Sequence, residues 1–195
     1  MSNEYLEMMC EVMKMLYLRG LISSTGGNVS IKLDDNTIAV TPRGFSEYPK
    51  FMLRPEQISI IDMNGNHIRG WPPTTEVKLH IAVYRVCKDC KAILHTHPLI
   101  LPFLPPNVEL PIDTELKYFL EPKICWVEEL RPRTEDLAQA TASKVKEGCN
   151  IIILQNHGLV TTGRTLMEAV ERTEAVDLAS KRFLVLKLLS KYLSA

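Results

Sequence analysis

The sequence has no surplus of charge of either sign. Its 23 basic residues match 23 acidic ones, so it offers no positive field to neutralise a nucleic-acid backbone or to hold the chain on an anionic membrane. It also lacks any uninterrupted apolar run as long as a signal-peptide core or a membrane span. Even the apolar pattern of residues 1–20 is broken by Glu4, Glu7, Glu11 and Lys14. These absences predict a cytoplasmic protein with neither nucleic-acid nor membrane partners. No internal repeat or low-complexity linker interrupts the chain, and 195 residues suit one domain spanning 1–195. Five scattered cysteines, an odd number, fit a reducing compartment better than a disulfide framework. Cys87 and Cys90 form a C-x-x-C in a helix tail without a second pair, which reads as incidental.

What is present is the composition of a packed globular fold, 46% apolar and 24% charged. Leu6, Met9, Cys10, Met13, Leu16 and Tyr17 recur at three- and four-residue spacing, the apolar face of a helix that Gly20 is placed to end. Asn28–Leu33 and Thr37–Thr41 read as strands of a hairpin turning over Asp34, Asp35 and Asn36. Gln57–Met63 reads as a strand running into the turn Asn64-Gly65-Asn66, and Pro72-Pro73 then stops regular structure. A helix capped by Thr74 or Thr75 continues to Cys87. Lys91–His97 is a buried strand. Residues 98–122 carry six prolines and resist assignment, which makes them a candidate site loop. Strands near 123–127, 150–155 and 159–162, a helix from a Thr134 cap to Glu147, and a long helix from Leu166 to about Leu193 complete an α/β pattern. Its sheet is expected to be mixed, with helices against both faces.

The strongest chemical signal is His95-Thr96-His97. Alternate residues of a strand share a face, so the two imidazoles can reach one ion. His157 follows the apolar strand Ile151–Leu154 in a Gln-Asn-His-Gly turn, where a side chain is presented at a strand end. Three neutral imidazoles leave a fourth position open, the mark of a catalytic zinc site. Glu76 opens a helix, where a carboxylate is either an ordinary N-terminal residue or a metal ligand. Gly26-Gly27-Asn28 and Pro42-Arg43-Gly44 are tight turns able to expose N–H groups to a phosphate, with Arg43 adding paired donors. His67 and His80 read as histidines without a ligand role.

In this order, Gly27-Asn28-Val29-Ser30, Thr41-Pro42-Arg43-Gly44, Thr74-Thr75-Glu76, His95-Thr96-His97-Pro98 and Asn156-His157-Gly158 resemble the class II aldolase/adducin family over nearly the whole chain. The resemblance implies a three-layer α/β/α fold with a largely antiparallel central sheet. It implies a zinc-dependent carbon–carbon lyase that reversibly cleaves a ketose 1-phosphate to dihydroxyacetone phosphate and an aldehyde. His95, His97 and His157 would bind Zn2+. Glu76 would bind zinc in the empty site and act as the catalytic base, and Gly27, Asn28, Gly44, Thr74 and Thr75 would hold phosphate. Arg43 departs from the small hydroxyl residue the family has there. The aldolases use a tyrosine from an adjacent subunit as acid, and Glu115 falls at that position with Tyr118 three residues on. A carboxyl there also resembles the acid/base of the family's methylthioribulose-phosphate dehydratase branch. The tail that closes the site in longer aldolases is expected to be short, and cyclic homotetramers with sites between subunits are implied, with Phe183, Leu184, Leu186, Leu188 and Leu189 suited to the contact. Other branches include a decarboxylase of phosphorylated keto acids, which Arg43 favours, and a non-catalytic adducin-like interaction module, against which the three histidines speak.

Overall fold

A computed structural model describes residues 3–44 and 47–193. Its elements are α1 (Asn3–Leu18), β1 (Asn28–Lys32), β2 (Thr37–Val40), β3 (Ser59–Asp62), β4 (His67–Arg69), α2 (Val77–Val86), β5 (Ala92–Thr96), α3 (Thr114–Phe119), β6 (Ile124–Val127), α4 (Glu135–Lys146), β7 (Ile151–Leu154), β8 (Gly158–Gly163) and α5 (Leu166–Leu193). The eight strands form one sheet in the order β4-β3-β2-β1-β5-β8-β7-β6. Every pairing is antiparallel except that of β6 with β7, so the mixed, largely antiparallel sheet is as expected.

Strand alternation sorts the side chains into two cores. Val29, Ile31, Ala92 and Leu94 pack toward α1 and the start of α5. Ile93, Ile152, Leu154 and Val160 pack toward α2 and α4. Helices therefore cover both faces, giving the three-layer α/β/α arrangement. The same parity puts His95 and His97 on the α2 side, because they continue the row of Ile93.

The end of α1 bears on the site. Gly20 takes φ +69°, and its N–H and that of Leu21 bond back to Tyr17 O and Leu16 O at 3.0 and 2.9 Å, a Schellman ending. Leu21 is thereby buried, and its carbonyl accepts from the His97 backbone N–H at 2.7 Å.

Several expectations need correction. His67 opens a short exposed edge strand, β4, that the residue pattern did not predict. Residues 98–122 contain a 3-10 turn at Leu101–Phe103 and the helix α3, capped by Asp113 accepting from Leu116 N–H at 2.9 Å. Neither Thr74 nor Thr75 caps α2; Glu76 occupies the cap position and makes no side-chain capping bond. Two disulfides, Cys87–Cys90 and Cys125–Cys149, span Cα separations of 5.4 and 6.0 Å, leaving Cys10 free and buried. Cys87–Cys90 closes the C-x-x-C that the sequence reads as incidental, and Cys125 of β6 meets Cys149 because β6 pairs with β7, which begins two residues after Cys149. No described helix is long and apolar enough to cross a membrane.

Candidate metal centre and anion pocket

His95, His97 and His157 arrive from two pieces of backbone. His95 closes the buried face of β5, His97 follows it by two, and His157 sits in the β7–β8 turn, where Asn156 takes the left-handed backbone (φ +55°) that asparagine tolerates. The three can offer ligand atoms within 4.8 Å of one another. Gly158 lets the groups approach, since a Cβ there would lie 2.4 Å from Thr96 O and 2.8 Å from the His97 ring.

Glu76 completes the cluster from the opening of α2. Its Oε2 lies 3.2 Å from His95 Nε2 and its Oε1 3.6 Å from His157 Nε2, while His95 and His97 Nε2 are 3.0 Å apart. Nitrogen and oxygen ligands around one zinc, each 2.0–2.1 Å from it in tetrahedral array, stand about 3.3 Å apart; the observed spacings bracket that value.

The proton positions point the same way. His95 Nδ1 lies 3.1 Å from Leu159 O. A carbonyl only accepts, so that nitrogen carries the hydrogen, and in the neutral ring Nε2 turns a lone pair inward. It meets another imidazole nitrogen and a carboxylate, and Glu76 Oε1 has no hydrogen-bond partner although buried. A convergence of acceptors of this kind is relieved by a shared cation. Burial pushes His97 down to about 3 and His157 to about 4, so both are neutral and competent to ligate at pH 7. For Glu76, burial opposes ionisation, but its contacts with His95, His157 and Asn28 outweigh it. They hold the carboxyl well below the usual carboxylate range. The donor set fits a divalent ion.

Beside the histidines lies a pocket of about 470 Å³ that contains most of the expected phosphate ligands. Gly27, Asn28, Arg43, Gly44, Thr74 and Thr75 all line it, with Glu76, His97 and His157 at its inner wall. Gly27 takes φ +68° and passes so close to Ile22 that a Cβ would collide with that side chain. Asn28 has less freedom than a ligand-binding residue with a loose side chain. Its Nδ2 donates to Glu76 Oε2 at 3.1 Å, and its Oδ1 faces His80 Nε2 at 2.5 Å.

Two pocket residues escaped the sequence reading. Lys50 is 3% exposed, and its Nζ donates to Gly27 O at 2.5 Å. Burial lowers its amine to about 8 against the opposing pull of Glu76. It follows Pro49 and opens the 3-10 turn Lys50–Met52, and nothing in its neighbours signals a site. Arg133, at φ +68°, also lines the pocket. Arg43, Lys50 and Arg133 thus surround a single carboxylate, an environment for anionic ligands.

Glu115 and Tyr118 are not brought to this pocket within the chain. Both are exposed on α3, and Glu115 lines a different cavity, about 680 Å³, beside α1 and α5 with Arg19, Glu171 and Glu174. None of residues 98–122 lines the histidine pocket, contrary to the expected site loop.

On this three-layer α/β/α fold, His95, His97 and His157 with Glu76 could hold a divalent ion, beside a cation-lined pocket whose wall includes Glu76, His97 and His157. The chain belongs to the class II aldolase and adducin family: the family's model, Class II Aldolase and Adducin N-terminal domain, matches residues 7–184. It is 37% identical over 183 residues to the L-fuculose phosphate aldolase of Methanocaldococcus jannaschii, covering 93% of this chain and 96% of that one. It is 32% identical over 187 residues to the 3-oxo-tetronate 4-phosphate decarboxylase of Haemophilus influenzae, covering 93% and 87%. The crystal structure of the L-fuculose-1-phosphate aldolase of Thermus thermophilus superposes with a TM-score of 0.81 at 24% identity, covering 96% and 97%, which supports the fold.

Proposed function

We propose that the chain is a zinc-dependent class II aldolase that reversibly cleaves a ketose 1-phosphate resembling L-fuculose 1-phosphate to dihydroxyacetone phosphate and an aldehyde such as L-lactaldehyde. The observation that carries the reading is the Glu76 carboxylate, 3.2 and 3.6 Å from two imidazole nitrogens on the wall of a pocket able to hold a phosphate. The relative from M. jannaschii bears the same activity in its name.

His95, His97 and His157 would hold the ion, which when bound supplies a Lewis acid for the carbonyl oxygen and a charge to stabilise the developing enediolate. Gly27, Asn28, Gly44, Thr74 and Thr75 would cradle the phosphate at the opening of α2, where N–H groups and the dipole favour anions, with Arg43 and Lys50 adding charge. In the direction of synthesis Glu76 takes a proton from the hydroxymethyl carbon of dihydroxyacetone phosphate, and that carbon then bonds to the aldehyde. In cleavage Glu76 returns the proton. The acid for the aldehyde oxygen would be Glu115, reaching the pocket of a neighbouring copy in a homotetramer. Exposed Leu184, Leu186, Leu188 and Leu189 on α5 support such assembly. Among the residues of this chain, the dehydratase reading has only Glu115 in its support.

A second reading has its own support. Arg43, Lys50 and Arg133 exceed what one phosphate needs, and would suit decarboxylation of a phosphorylated keto acid, the activity named for the H. influenzae relative. The test offers L-fuculose 1-phosphate and 3-oxo-tetronate 4-phosphate separately to wild type and Glu76→Gln, with and without a chelator. Chelator-sensitive release of dihydroxyacetone phosphate, lost in Glu76→Gln, is expected. Release of carbon dioxide from the second substrate alone would replace the aldolase by the decarboxylase.

A further inference from the structure

The antiparallel register sets β1 alongside α2 so that two rows of polar side chains interleave. On α2, Glu76, His80 and Tyr84 lie four residues apart and share one face. On β1, Asn28 and Ser30 share one face of the strand. The rows alternate in space: Asn28 Nδ2 is 3.1 Å from Glu76 Oε2, Asn28 Oδ1 is 2.5 Å from His80 Nε2, His80 Nδ1 is 2.6 Å from Ser30 Oγ, and Ser30 Oγ is 2.9 Å from the Tyr84 hydroxyl. All five residues are nine-tenths or more buried.

We propose that His80 is a positioning residue for the metal centre: through Asn28 it holds the Glu76 carboxylate in the orientation that ligates the ion. This role rests on reading Glu76 and the three histidines as a metal site, whereas the hydrogen-bond directions follow from the Glu76 carboxylate itself. The carboxylate only accepts, so Asn28 must turn its NH2 toward Glu76 and its oxygen toward His80. That oxygen only accepts, so His80 carries its hydrogen on Nε2. Full burial keeps the ring neutral, its pKa pushed down to about 3, so Nδ1 is bare and accepts from the Ser30 hydroxyl. Ser30 Oγ in turn accepts from Tyr84. The relay leaves no alternative arrangement that satisfies all five groups. Without the His80 donor, Asn28 loses the partner that fixes its amide, and a rotated amide would set its oxygen against Glu76. Metal sites depend on such outer partners, whose loss typically costs 10–100-fold in affinity.

Glutamine is the discriminating substitution, because its amide supplies one donor for Asn28 and one acceptor for Ser30, whereas leucine fills the space without either. The affinity of His80→Leu, His80→Gln and wild type for Zn2+ would be measured by competition with a chromophoric chelator, alongside thermal melting. Affinity about 10–100-fold weaker in His80→Leu, and within about threefold of wild type in His80→Gln, is expected. A folded His80→Leu protein that binds Zn2+ as wild type does, or a His80→Gln protein as weak as His80→Leu, overturns the proposal. Should His80→Leu fail to fold, Ser30→Ala carries the test: it removes the hydroxyl that holds the ring by Nδ1, so the His80 donor to Asn28 is less firmly placed, and it is expected to weaken Zn2+ binding at least threefold; wild-type affinity there overturns the relay. Because no substrate is present, wild type that binds Zn2+ yet lacks aldolase activity refutes the proposed reaction alone, whereas wild type that binds no Zn2+ refutes both.

Discussion

Gly158→Ala tests how tightly the backbone packs around the metal centre. Gly158 sits at the start of β8, and its φ is not in the left-handed region, so the substitution acts through space alone. The new Cβ would lie 2.4 Å from Thr96 O, 2.8 Å from His97 Cδ2 and 3.0 Å from His95 Cε1. Restoring ordinary contact at about 3.4 Å requires the three atoms to recede by about 1.0, 0.6 and 0.4 Å. Thr96 belongs to the ladder that pairs β5 with β8, so its carbonyl cannot retreat without opening the sheet beside both histidines. Ligand positions in a metal site tolerate only about ±0.2 Å. Metal affinity should therefore fall at least about tenfold, while overpacking of this kind costs about 1–3 kcal/mol of stability. For a chain of this size that is a fall in Tm of roughly 2–12 °C. Chelator competition reads the first effect and thermal melting of the metal-free protein the second. Gly158→Ala with wild-type Zn2+ affinity would refute the packing argument, whatever its Tm.

Three further outcomes follow from named contacts. Lys50→Met removes the buried ammonium of the pocket and should weaken binding of inorganic phosphate to the metal-free protein by about tenfold, the worth of one charge-assisted hydrogen bond, read by calorimetry. Cys125→Ser opens a disulfide of sequence separation 24, and loop entropy puts the loss at about 3.5 kcal/mol; unchanged denaturant midpoints under oxidising conditions would show that the bond contributes nothing. His80, His97 and His157 are held neutral in the fold, at about 3, 3 and 4 instead of the ordinary histidine value of 6.5. Between pH 6.5 and about 4 the unfolded chain therefore binds more protons than the folded one, so stability of the metal-free protein should be full above pH 6.5 and fall progressively below it. A midpoint flat from pH 7 to 5 would contradict this.

The histidine triad was legible because it rests on short-range rules. Strand parity aligned His95 with His97, and the Asn156-His157-Gly158 turn followed an unmistakable apolar strand. Glu76 stayed ambiguous on spacing alone, since a carboxylate at a helix start is an ordinary cap; it took the three-dimensional positions of His95 and His157 to show where its oxygens point. His80 was read as a histidine without a role because its partners lie 50 and 52 residues away on β1. The spacing of Glu76, His80 and Tyr84 was visible, but its meaning depends on which strand α2 covers. Lys50 was invisible for a related reason. It is delivered by a single 3-10 turn whose first backbone N–H, that of Lys50, donates to Ser24 O at 2.8 Å, and a turn this short leaves no periodic signature. The Cys125–Cys149 disulfide depended on β6 and β7 being neighbours, the single parallel pairing of the sheet, which brings the residues just before β7 beside β6.

The most direct test of Glu76 as the base needs no aldehyde. Zn2+-loaded protein would be incubated with dihydroxyacetone phosphate in deuterium oxide and the hydroxymethyl proton signal followed by NMR. The account predicts stereospecific loss of one of the two protons, abolished by a chelator and in Glu76→Gln; retention of both protons by loaded wild-type protein would contradict it.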